Sequence, residues 1–119
     1  MALETIHEFL MRVSKKKWPS NAYVSVPGFS SMYVRYTDMY IESKMVNNVL
    51  QIANVTASHP GKGTFTKFIL DFRETYPQIP LMVESVLNKR FRQKLLSLGF
   101  RYIGPTEDLP SYFMPSEIS

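Results

Sequence analysis

Cysteine is absent from this chain, which removes disulfides, thiolate metal sites and a cysteine nucleophile together. Histidine is scarce: His7 and His59 lack the HxxxH spacing of a zinc helix, so no metal centre is expected. Nowhere do the roughly 20 consecutive apolar residues of a membrane span occur. The opening MALETIHEFL is acidic before it is apolar and has neither the basic n-region nor the cleavage site of a signal peptide, so a cytoplasmic protein is expected. Internal repeats and low-complexity linkers are also missing, and 119 residues suit one domain with a sizeable core rather than two.

What is present is a hydrophobic fraction of 45% and a net charge of +4, the composition of a compact basic fold. Lys15-Lys16-Lys17-Trp18 is the densest cationic cluster, and it reads as the solvated last turn of a helix, where the dipole favours positive charge. Lys62, Lys67, Lys89, Arg90, Arg92 and Lys94 crowd around one loop and one later helix. That placement suits a polyanionic small molecule at least as well as nucleic acid, for which no recognisable motif is present.

The apolar pattern divides the chain into alternating elements. Leu3, Ile6, Phe9, Leu10 and Val13 predict a helix over residues 3 to about 15. Ala22 to Val26 is a short strand candidate, stopped by Pro27-Gly28. Met32, Val34 and Tyr36 alternate with Tyr33 and Arg35, so a strand is expected from Ser31. Thr37-Asp38 then reads as a tight turn, Met39 to Val46 as the returning strand, and Asn47-Asn48 as a second two-residue hairpin leading into the strand Val49 to Ala57.

Phe65, Phe68, Ile69, Phe72 and Tyr76 predict a helix from about Thr64 to Tyr76. Leu81 to Val86 should be a strand parallel to Val49–Ala57, because a helical crossover joins them. Asn88 is a good N-cap for a helix with Phe91, Leu95 and Leu98 inward and Gly99 at its end. Arg101–Ile103 and Ser111–Met114 read as terminal strands. The fold class is therefore α/β (α+β), a mixed and mostly antiparallel sheet flanked by helices.

The stretch Asn54 to Phe65, NVTASHPGKGTF, carries a buried strand through Gly61-Lys62-Gly63 into a helix. The first turn of that helix offers free N–H groups and a positive dipole end, a candidate phosphate site. It is neither GxGxxG nor a P-loop, because Thr56 stands at the P-loop's first glycine and Gly63 follows Lys62.

The order strand, Gly61-Lys62-Gly63 loop, helix, strand, then an Asn88-led helix ending Leu98-Gly99-Phe100, resembles the GNAT superfamily of N-acetyltransferases over about Val49 to Ile103. The family's loop reads Arg/Gln-x-x-Gly-x-Gly/Ala. With Gly63 as its middle glycine, Pro60 stands first and Phe65 last; a shifted frame keeps Gly61 and Gly63 and puts Ser58 first. The second half is similar to the family's Asn-x-x-Ala-x-x-x-Tyr-x-x-x-Gly-Phe, with Phe91 for the alanine and Leu95 for the tyrosine.

The resemblance implies a GNAT-like domain with a splayed parallel strand pair, residues 49–103 binding acetyl-CoA as co-substrate and residues 1–46 facing the acceptor. Asn54, Val55 and Thr56 would meet the pantetheine arm, and Pro60, Gly61, Lys62, Gly63, Thr64 and Phe65 the pyrophosphate. Asn88 belongs to the same site; Lys62 and Arg92 either add charge to the phosphates or are solvated surface cations.

Family members often take their acid from a tyrosine where this chain has Leu95. The expected base is Glu84, the only carboxylate in the two flanking strands, since desolvation makes a buried carboxylate more basic; otherwise it is an outward charge or a structural hydrogen-bond partner. His59 would contact phosphate, shuttle protons or simply be exposed. The partners expected are acetyl-CoA and an amine acceptor, small molecule or protein, with a possible homodimer face at Tyr33, Tyr36 and Tyr40 and no nucleic acid or membrane. A noncatalytic CoA- or protein-binding module, and a basic nucleic-acid-binding domain, are the alternatives.

Overall fold

In the computed structural model, which describes residues 3–16, 19–59, 61–84, 89–105 and 110–116, three helices lie against one six-stranded mixed sheet. The elements in chain order are α1 (Ile6–Ser14), β1 (Asn21–Tyr23), β2 (Phe29–Ile41), β3 (Lys44–Ala57), α2 (Thr64–Thr75), β4 (Leu81–Val83), α3 (Lys89–Ser97), β5 (Arg101–Pro105) and β6 (Pro110–Met114). Across the sheet the order is β1-β2-β3-β4-β6-β5. Among the named strands, β3 and β4 are the neighbours that run parallel, as expected of strands joined through a helix. Lys17, Trp18, Pro60, the expected end of β4 at 85–86, and Asn88 lie outside the described residues.

One face of the sheet carries the helices. Phe9, Leu10 and Val13 of α1, Ile69 and Phe72 of α2, and Leu95 of α3 share a core with Met32, Val34, Leu50, Ile52, Leu81, Val83 and Tyr112. Each such aliphatic or aromatic side chain contributes about 1.5–3 kcal/mol by leaving water. α1 starts at residue 6 rather than 3 because Thr5 caps it: the Thr5 hydroxyl accepts the Glu8 N–H, and the Glu8 carboxylate accepts the Thr5 N–H.

The two predicted hairpins around Met39–Val46 are one. Thr37-Asp38 does not turn; β2 runs on to Ile41, and the chain reverses at Glu42-Ser43, with φ of 51° and 69° and Ile41 paired to Lys44. Positive φ at both central residues fits a two-residue hairpin, whatever residues occupy them. Asn47-Asn48 sits inside β3 opposite Asp38, as a bulge in which Asn48 has φ of 56° and gives its N–H to the Asp38 carboxylate at 2.9 Å. The division of the chain between residues 46 and 49 thus falls within one strand. β1 is shorter than expected, ending at Tyr23.

Beyond the bulge the hairpin arm curls over the helix-free face. Glu42 at its tip pairs with Arg101 of β5 at 2.5 Å, across strands β4 and β6. Under the arm, Ile41, Val49, Met82 and Phe113 form a second small core with Met39, Val46 and Ile103. No helix among the described residues is long and apolar enough to cross a membrane.

Candidate functional site

At the C-terminal end of β3, the chain leaves the sheet through Ser58-His59, and Gly61 to Gly63 lead into α2. Gly61 and Gly63 take φ of 86° and 72°, and a Cβ on either would meet nothing within 4 Å, so the loop lies open. Gly63 is the N-cap of α2, and among the described residues no side chain caps that helix. Its first N–H groups are therefore left for a ligand or water.

A cavity of about 740 Å³ occupies this end of the molecule. Phe29, Val55, Ala57, Phe65 and Phe91 give it apolar walls, while Thr56, Thr64, Thr66, His59, Arg90 and Lys94 supply polar groups. Among the described residues no carboxylate lines it, and neither α2 nor α3 has an acidic residue in its first turn. Two cations and an uncapped helix start therefore border the same space, an arrangement that favours negative charge there beside apolar walls. A volume in the range of roughly 300–1,000 Å³ is typical of small-ligand sites.

Of the expected site residues, Val55, Thr56, Gly61, Gly63, Thr64 and Phe65 line the cavity. Asn54 and Lys62 are exposed and do not line it, and neither does Arg92. The helix pitch explains the last: Arg90 and Lys94, four residues apart, share one face of α3, whereas Arg92 is rotated away. Their i, i+4 spacing was the available signal. Pro60 and Asn88 lie outside the described residues.

Val55 reaches the helix side only because Ala53 bulges. Tyr33 pairs with Asn54 and Val34 with Ile52, so one extra residue resets the alternation and turns both Ile52 and Val55 inward. Phe65 and Phe91, which stand where the resemblance leads one to expect small residues, meet each other with ring centroids 4.7 Å apart at an interplanar angle of 70°. Each large side chain thus fills space at the other's position, between the starts of α2 and α3.

Glu84 lies on the opposite face of the sheet from this apolar wall. Its Oε1 is 3.0 Å from Arg35 Nη1, and its Oε2 accepts a hydrogen bond from Gln51 Nε2. It is a bonded, partly exposed carboxylate rather than an isolated buried one. Burial works against the Arg35 guanidinium's charge, but Glu84 and, to a lesser extent, Tyr33 together outweigh it and hold the group above its ordinary value. The Glu84 N–H donates to the Ile52 carbonyl at 3.1 Å, continuing the β3/β4 ladder of Leu50–Leu81, Gln51–Met82 and Ile52–Val83.

Leu95 is fully buried in the main core. Tyr33, Tyr36 and Tyr40 do not form one patch: Tyr33 lies beside Arg35, Tyr36 packs on the main core, and Tyr40 is 75% exposed. A smaller cavity of about 290 Å³ at the other end is lined in part by His7, Tyr36, Asn48 and Tyr76 and, among the described residues, by no lysine or arginine. No family model matches the chain, and neither a curated protein nor a solved structure matches it.

Proposed function

We propose that this chain is a GNAT-type N-acyltransferase that moves an acetyl group from acetyl-CoA to an amine, and that it works in the cytoplasm. The observation that carries the reading is the cavity at the start of α2, lined among the described residues by Arg90 and Lys94 and by no carboxylate, beside a helix start without a side-chain cap and the end of β3. The residues suit the donor: the diphosphate would take the N–H groups after Gly63 and the two cations, and the apolar walls suit its less polar parts. The parallel pairing of β3 and β4, joined through α2, supports the reading.

In the reaction an ammonium loses one proton, its nitrogen attacks the thioester carbonyl, a C–N bond forms and the C–S bond breaks. The nitrogen gives up a second proton, the thiolate takes one up, and the sum is amide, thiol and one released proton. Glu84 is the carboxylate at the end of β4 that would accept protons from the amine. Leu95 offers no acid. A thiolate with a pKa of about 8.5, by analogy with cysteine, leaves near neutral pH and is protonated by solvent.

A second reading, a CoA-binding module without turnover, is favoured by the burial of Leu95 and the engagement of both Glu84 oxygens. Calorimetric titration with CoA is expected to show saturable binding, and absence of heat at high ligand concentration would remove both readings. Acetyl transfer against a panel of amines and peptides separates them. In the enzyme, Glu84→Gln should slow transfer about 10²-fold or more at unchanged CoA affinity; no transfer from the unmodified chain to any acceptor would leave the binding module.

A further inference from the structure

Four polar side chains cross the helix-free face in a row. Arg35 of β2 stands directly opposite Gln51 of β3; Glu84, at the end of β4, bonds to both; and Ser111 of β6 shares its face with Phe113 by alternation. Gln51 and Ser111, only 6% and 5% exposed, are the buried polar side chains among the described residues, and both lie in this row. Burying polar groups in the middle of a sheet costs stability that apolar residues would not forfeit. Val49, Met82 and Phe113, on the same face, are buried and apolar, so the face accepts apolar side chains and packing does not account for the row.

The two charged members retain bonding capacity. Arg35 spends Nη1 on Glu84, its side chain is 41% exposed, and its Cζ lies 5.3 Å from the centroid of the Tyr33 ring. A guanidinium has five N–H donors, and a carboxylate has about four acceptor positions, of which Glu84 uses two here. A fixed cation beside a fixed anion, both facing solvent, complements a molecule carrying the opposite pair at similar spacing.

We infer that this row is the acceptor site and that the acceptor is a zwitterion of the α-amino acid class, its ammonium on Glu84 and its carboxylate on Arg35. The inference rests on the acyltransferase reading for its role in turnover. The row lies beside the point where the β3/β4 ladder reaches Glu84, on the face away from the anion cavity, so donor and acceptor would approach the strand pair from opposite sides.

Binding is tested without turnover, on the isotopically labelled chain, by following the Gln51 side-chain amide and the Arg35 Nε–H resonance. The common α-amino acids are titrated singly, each against the amine that lacks its carboxylate. At least one amino acid is expected to give saturable shifts at both groups, with its decarboxylated amine bound about tenfold or more weakly. Arg35→Met should erase that difference in a protein whose melting transition is retained. Equal binding of amine and amino acid, no shift with any amino acid, or an unaltered preference in Arg35→Met would overturn the assignment. CoA is titrated into the same samples. CoA binding without amino-acid shifts removes this inference alone, whereas amino-acid shifts without CoA binding keep the zwitterion site and remove the acyl-CoA reading.

Discussion

Gly28 shows how one residue fixes the mouth of the cavity from outside it. Its φ of 91° lies in the region that side-chain-bearing residues avoid, and a Cβ there would come within 2.5 Å of Thr64 Cγ2. Thr64 is the first residue of α2 and is β-branched, so its methyl has little freedom to move aside. The Gly28 carbonyl also accepts the Ser58 N–H at 2.9 Å, tying the entry to β2 to the exit from β3. Gly28→Ala is expected to destabilise the fold by about 1–3 kcal/mol, read from the midpoint of urea denaturation. An unchanged midpoint would mean that this approach is not needed to hold α2. In sequence, Pro27-Gly28 read only as a turn; its second duty depends on α2, 36 residues later, which no local pattern reveals.

At the scale of elements, legibility followed the source of each signal. α2 and α3 were readable because long-range burial imprints a helical period on Phe65, Ile69 and Phe72 and on Phe91, Leu95 and Leu98. The hairpin was misread because its chemistry is displaced: the residues that tolerate positive φ, Asn47 and Asn48, serve a bulge, while Glu42 and Ser43 make the turn. The tip then gains its tertiary partner in Arg101, a surface pair worth at most about 1 kcal/mol. The site was half legible for the same reason. The loop glycines and strand end were visible in sequence, as was the i, i+4 spacing of Arg90 and Lys94, whereas the cavity that this face of α3 borders and the bulge at Ala53 emerge only when the elements are assembled.

The start of α1 gives an element-scale test in pH. Hydrogen bonds from the Thr5 backbone and then the Thr5 side chain lower the Glu8 carboxyl below its ordinary value of 4.5. With the folded value lower, the unfolded chain binds more protons between the two, so stability rises with pH there. The contribution is fully present above about 4.5 and fades as pH falls through the lowered folded value. Glu8→Gln should therefore flatten the acid limb of the stability profile and leave its shape near neutrality unchanged, as chemical denaturation at a series of pH values would reveal. A parallel shift of the whole curve would contradict the linkage.

For the molecule as a whole, a radius of gyration of 13.8 Å is close to the roughly 13.5 Å expected of a compact chain this long, so the hairpin arm is part of the body. Its net charge of +4 then poses one question: does an anion meet a diffuse positive field or a built site? Arg90 and Lys94 line the cavity, while Lys62 and Lys67 are equally basic, close in sequence to the same loop, and outside it. Arg90→Ala with Lys94→Ala and Lys62→Ala with Lys67→Ala remove the same charge. A diffuse field would weaken CoA binding alike in both pairs, and added salt would erase both losses. A built site should lose affinity about tenfold or more in the first pair and little in the second, with part of the first loss surviving moderate salt, because charge-assisted hydrogen bonds at short range are screened less. Calorimetry of the two double variants at low and moderate ionic strength decides between them, and equal losses would sink the cavity assignment.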